Sequence, residues 1–191
     1  ADVHLGTRRE TPYLYDGFLN FIDYMELHPV DMIFITGDLF DHVPTREDIV
    51  FVDTQLARLT KTDILYVTGE CDYLGKDSIL WNYEFVSRMY LLNCEDIHNH
   101  VPEGERAKRN SYAEGIMDSL HFLKYNVDVY GICQYSARNE RNDFDCVYAR
   151  NLRAINIFLG HGGSANVCPF EVEDFGGNNF GYIGLGHKHQ Y

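Results

Sequence analysis

The chain reads as a layered α/β fold, on three patterns. Short apolar runs rich in Ile, Val, Phe and Tyr recur at lengths suited to single buried strands. Early in the chain they alternate with amphipathic helical stretches, whereas the middle reads as antiparallel pieces. Several runs break at their carboxyl ends into Asp, Glu or His, where open α/β sheets bind ligands.

Taken in order, Asp2, Val3, His4, Leu5 and Gly6 form a turn with two ligand-type side chains. No strand precedes it, so a strand ending at Asp2 would lie upstream, and the chain is expected to be incomplete at its start. Leu14, Phe18, Phe21, Ile22 and Met25 follow at helical spacing, and Pro29 stops that helix. A strand over 31–36 breaks at Gly37 and delivers Asp38 and Asp41 from its end. Thr45 and Asp48 resemble a capping box, opening a helix with Ile49, Val52, Leu56 and Leu59 inward. A second strand over 63–68 breaks into Gly69, Glu70, Cys71 and Asp72.

Trp81, Tyr83, Phe85 and Val86 suggest a short helix, and 90–101 and 111–117 short strands around a charged turn. The stretch 128–132 reads as a strand, 144–152 as a helix, and 154–159 as a strand ending in Gly160 and His161. The last strand, 182–185, ends in Gly186, His187, Lys188 and His189. Without repeats, low-complexity stretches or a linker, residues 1–191 are expected to form one domain.

A chain of 191 residues can bury a sizeable core, and its 45% hydrophobic and 24% charged content suits a globular protein. The formal net charge of −13 argues against a broad basic surface gripping nucleic acid. It leaves a nuclease open, because bound metal ions invert the field locally. No run approaches the ~18 apolar residues of a membrane span, and no signal-peptide pattern is visible. Cys71, Cys94, Cys133, Cys146 and Cys168 are odd in number and never spaced as Cys-x-x-Cys. Reduced thiols in a cytoplasmic protein that does not engage a membrane are therefore expected.

Asp2, His4, Asp38, Asp41, Glu70, Asp72, His161, His187 and His189 all fall within a few residues of expected strand ends. Carboxylate with imidazole suits Mn, Fe or Zn better than Ca or Mg. So many donors exceed one tetrahedral zinc and suit two ions sharing a bridging carboxylate, the standard device for displacing an oxygen at phosphorus.

Asp2-Val3-His4, Gly37-Asp38-Leu39-Phe40-Asp41, Gly69-Glu70-Cys71-Asp72, Gly160-His161 and Gly186-His187-Lys188-His189 occur in that order. In this the chain resembles the calcineurin-like metallophosphoesterases. The wording of the blocks looks most like the SbcD-type exonucleases of DNA double-strand-break repair. The resemblance implies a four-layer αββα sandwich and a phosphodiester hydrolase with two divalent ions, Mn favoured over Fe or Zn. It implies DNA as substrate, an SbcC-like ABC ATPase as partner, and a homodimer as one assembly.

Carried over, Asp2, His4 and His189 would hold one ion, Asp38 would bridge, and Glu70, His161 and His187 would hold the second. Asp41, Cys71, Asp72 and His42 complete the catalytic candidates. The family has Asn at position 70 and a leaving-group His at position 71, where this chain has Glu70 and Cys71. Glu70 can ligate but lowers the positive charge offered to a phosphate. A thiol, with an unperturbed pKa of about 8.5, is a poor general acid, and nearby dications would push it towards thiolate. His42 beside Asp41 reads either as an exposed loop residue or as a substitute proton donor. Two rival readings follow: a phosphatase or phosphodiesterase for small molecules, and a metal-binding protein weakened in catalysis by Glu70 and Cys71.

Overall fold

In the computed structural model, residues 1–6, 12–92, 108–109, 118–144 and 147–188 are described. Two sheets carry the fold. The first is parallel, in the order β1 (Met32–Thr36), β2 (Asp63–Val67), β3 (Met89–Leu91). The second runs β4 (Lys108–Arg109), β5 (Asp118–Phe122), β6 (Val127–Gly131), β7 (Ile155–His161), β8 (Tyr182–Gly186). Its β4–β5–β6 portion is antiparallel, as expected for the middle of the chain, and β6–β7–β8 is parallel. This is the mixed α/β architecture expected from the sequence.

Helix α1 (Pro12–Leu27) opens on a proline, whose missing N–H and fixed φ suit a first turn. Tyr15, Phe18 and Ile22 are its buried residues, at i, i+3 and i+7. Of the apolar residues at helical spacing, Phe21 is 40% exposed, whereas Tyr15, outside that set, is buried. The Tyr15 hydroxyl donates to the Gly6 carbonyl at 2.8 Å, tying the helix to the opening segment. Helix α2 (Arg46–Leu56) carries the expected capping box, with Thr45 and Asp48 satisfying each other's backbone donors. It buries Ile49, Val52 and Leu56. Its buried Asp53 accepts from the backbone of Val86 and Ser87, at 2.8 and 2.9 Å, anchoring the loop before β3. Among the described residues, no helix is long and apolar enough to cross a membrane.

One apolar core joins α1, α2, the first sheet and the inner faces of β5, β6 and β7. Leu65, completely buried, contributes about 1.5–3 kcal/mol by leaving water. A second cluster packs Tyr130, Phe144, Phe158, Phe170, Phe175 and Phe180 beneath β7 and β8.

Two expectations change. A 3₁₀ turn over Ile79–Asn82 replaces the helix expected around Trp81 to Val86. The described part of 144–152 is not helical. There the Ala149 N–H goes to the Asn178 carbonyl at 2.8 Å and the Arg150 N–H to the Tyr130 hydroxyl at 3.2 Å. Those distant partners satisfy the backbone while Phe144, Val147 and Ala149 are buried in the aromatic cluster, so a helix gains nothing. Most of the strands expected over 90–101 and 111–117 lies outside the described residues.

Candidate metal centre

The sheets meet where β1 lies against β7 and β8. Register brings the strand ends level: Thr36 pairs with Val67, and His161 pairs with Gly186. Every expected ligand that is described leaves from one of these ends or from the segment beside them. That segment is more than a turn. Asp2 and His4 donate their N–H groups to the Gly37 and Asp38 carbonyls at 3.1 and 3.0 Å, and Leu5 pairs with Phe40.

The backbone here is strained. Asp2, His4, Asp38 and His187 hold φ of 56°, 51°, 50° and 97°, a region costly for residues with a Cβ. Close approach explains the adjoining glycines. A Cβ on Gly37 would lie 2.1 Å from the His161 Nδ1, and one on Gly69 2.2 Å from the Asp38 Oδ1.

Asp38 is buried, and its Oδ1 accepts from the Cys71 N–H at 2.9 Å. Its Oδ2 lies 3.9 Å from the His4 Nε2 and 3.6 Å from the His161 Nε2. These gaps are too long for hydrogen bonds. They approach the roughly 3–3.5 Å between two donors that share an ion at about 2.1 Å from each. The His161 Nδ1–H donates to the Thr36 carbonyl at 2.9 Å, which leaves Nε2 as the ligating atom. Glu70 bonds His161 through one oxygen and accepts from the His187 Nδ1 at 2.7 Å through the other. The His187 Nε2 meets the Ser164 Oγ at 2.9 Å.

Among the described residues, three sets of donor atoms lie within 4.8 Å of one another: Glu70, His161 and His187; Asp2, Asp38 and His161; and His4, Asp38 and Cys71. Asp38 and His161 each belong to two of them, and of the two only Asp38 is a carboxylate, the kind of side chain that would bridge. The chemistry of these donors fits divalent first-row metals. His189 lies outside the described residues.

The catalytic candidates separate. Cys71 reaches the donor cluster; Asp72 does not. Asp72 is fully buried, and its carboxylate accepts from the backbone of Leu39 (2.8 Å), Gly69 (2.6 Å), Asp38 and Phe40 (both 3.3 Å) and from the Tyr66 hydroxyl (2.5 Å). It is therefore a positioning residue that folds the 37–40 loop against the 69–72 turn, which corrects its assignment to the catalytic group. His42 is bonded to Asp41 and, at 3.1 Å, to Asp48, so it clamps the loop to the start of α2. Neither Asp41 nor His42 joins a donor set among the described residues. Thr36, Ser164 and Gln134, whose side chain donates to the His161 carbonyl at 2.7 Å, are supports that the motifs did not mark.

Carboxylates and imidazoles converging where two sheets meet define a metal-binding α/β protein. A family model described as calcineurin-like phosphoesterase matches residues 1–191, and the chain belongs to that family. Metal-dependent phosphoester hydrolysis is the activity that goes with it. None of the curated proteins compared matches the chain.

The protein's own charges set the metal-free state. Burial alone would raise Glu70, but bonding to His161 and the charge of both imidazoles bring it down to about 2. Burial would lower His161, but Glu70, the Thr36 carbonyl and Asp38 raise it. The raised His161 adds stability that is complete below about pH 6.5 and is lost as pH rises through its elevated value. The lowered Glu70 adds stability that is complete above about pH 4.5 and is lost as pH falls towards 2. In chelator, the melting temperature should peak between those limits and decline towards alkaline pH. Metal binds deprotonated imidazole, so the loaded protein's optimum should lie higher. Identical pH profiles with and without metal would contradict this.

Proposed function

We propose that this chain is a metal-dependent phosphodiesterase acting on nucleic-acid strands, a cytoplasmic DNA-repair exonuclease-like enzyme. The observation that carries the choice of substrate is a cleft of about 680 Å³ lined by Arg46, Lys76, Asp77, Ser78, Ile79, Trp81 and Asn82. Its residues 76–82 follow in sequence the loop that bears Glu70 and Cys71, and that loop is tied to the site through Leu74, Gln134 and His161. Two cations beside the stacked pair Trp81 and Tyr135 are the means of holding a strand by phosphate and base. With Asp77 in the same lining, the cleft carries one net positive charge within a chain of −13 overall.

Two divalent ions at the centre would make a water nucleophilic and offset charge on the phosphoryl oxygens. The residues supply position: Asp38 shared between the two halves, His161 aimed by Thr36, His187 held by Glu70 and Ser164. An ABC-type ATPase partner and a homodimer belong to this proposal through the SbcD-type resemblance. The metal-loaded chain should hydrolyse bis-p-nitrophenyl phosphate and single- or double-stranded DNA; turnover of the small diester alone would favour the small-molecule reading.

The cleft has its own test. Trp81 is the only tryptophan, so intrinsic fluorescence reports occupation directly. An oligothymidylate should quench it saturably. Arg46→Ala with Lys76→Ala should lower the slope of log affinity against log salt by about 0.7 for each phosphate left without its cation. An unchanged slope would remove the cleft from the strand's path.

A further inference from the structure

We propose that Cys71 is a metal ligand, and that its sulfur makes one half of the centre select a thiophilic ion. The inference rests on the metal-centre reading and concerns which ion that centre takes. Cys71 Sγ, a His4 ring nitrogen and an Asp38 oxygen lie within 4.8 Å of one another, and the three atoms are sulfur, nitrogen and oxygen.

The position of Cys71 is over-determined. Its N–H donates to the Asp38 Oδ1, and two residues earlier the Gly69 N–H donates to Asp72 at 2.6 Å. With Oδ1 so engaged, Asp38 presents Oδ2 towards His4 and His161, at 3.9 and 3.6 Å. Cys71 is half-buried, so its thiol reaches the cluster yet stays open to an incoming ion. A zinc-type ion with sulfur at about 2.3 Å and nitrogen at about 2.0–2.1 Å places those donors roughly 3.6 Å apart, within reach of a small side-chain rotation.

Binding breaks the S–H bond, forms the S–metal bond and releases the proton to the buffer. The thiolate adds a negative charge to those of Asp2, Asp38 and Glu70. Four anions then balance two dications, where the same centre without the thiolate would carry one net positive charge. Thiolate favours zinc, iron and cobalt over manganese. The preference for Mn carried by the family resemblance should therefore fail at this half of the centre.

Three measurements on the full chain test this without turnover. Cobalt reconstitution should produce an intense near-ultraviolet sulfur-to-cobalt charge-transfer band, absent from Cys71→Ser. Zinc affinity should fall at least ~10-fold in Cys71→Ser, because even outer supports of a site are worth that much, while manganese affinity changes less. In the unmodified chain, zinc should protect Cys71 from alkylation and manganese should not. A cobalt spectrum without the band, equal zinc affinities, or equal protection by both metals would overturn the assignment. If no variant or metal gives hydrolysis while these signatures appear, the catalytic reading falls and the ligand assignment stands.

Discussion

Replacing Asp72 with alanine should destabilise the chain by about 5 kcal/mol, at the low end of ~1–3 kcal/mol for each of five orphaned donors. Those donors are the N–H groups of Asp38, Leu39, Phe40 and Gly69 and the Tyr66 hydroxyl. All sit around a completely buried carboxylate. For a chain of this length the loss corresponds to a fall in melting temperature of roughly 10–20 °C. Asp72→Asn keeps one acceptor oxygen and should fall between parent and alanine. Tyr66→Phe removes one donor with its partner still satisfied by four backbone groups, and should cost least. Calorimetry orders the three variants, and an Asp72→Ala that melts with the parent would refute the positioning role.

The second large effect belongs to Asp38. Asp38→Ala should remove metal from both halves of the centre, and with it phosphodiester hydrolysis by about 10³-fold or more, from the several kcal/mol of charge stabilisation that metal supplies. Asp41→Ala is the comparison. Asp41 leaves the same loop, but its carboxylate is exposed and bonded to His42. Its metal content should stay close to the parent's. Elemental analysis of both variants after reconstitution decides the matter, and equal loading would deny Asp38 its shared place. Gly69→Ala should mimic Asp38→Ala in part, since the added Cβ would strike the Asp38 carboxylate.

What the sequence displayed was local. A capping box spans four residues, and a strand ending in glycine and acid spans fewer than ten, so α2, β1, β2, β7 and β8 could be read where they stand. The roles of Asp72 and Cys71 could not, because they depend on which carboxylate ends beneath the loop and which side chain faces the donors. Both occupy one short block, and only burial separates them. The stretch 144–152 misled for a related reason. Its apolar residues are spaced for a helix, yet they serve an aromatic cluster built from 158 to 180, and the backbone bonds go there too. The supports of the centre were illegible in principle. A carbonyl at Thr36 or a hydroxyl at Ser164 has no motif.

The centre draws its donors from far along the chain. Glu70 and His161 are 91 residues apart, Glu70 and His187 117, and Asp2 and His187 185. An unfolded chain could assemble such a set only by closing loops whose entropic cost grows with ln n, on top of fixing each donor. The unfolded chain keeps only short pairs, Asp2 with His4, Glu70 with Cys71 and His187 with His189, and so chelates far more weakly than the folded centre. Most of the binding free energy then appears as resistance to unfolding, at most about 2.7 kcal/mol at a hundredfold excess over Kd, less whatever the short pairs bind in the unfolded chain. A thermal melt at graded metal concentration is therefore a binding isotherm in another form.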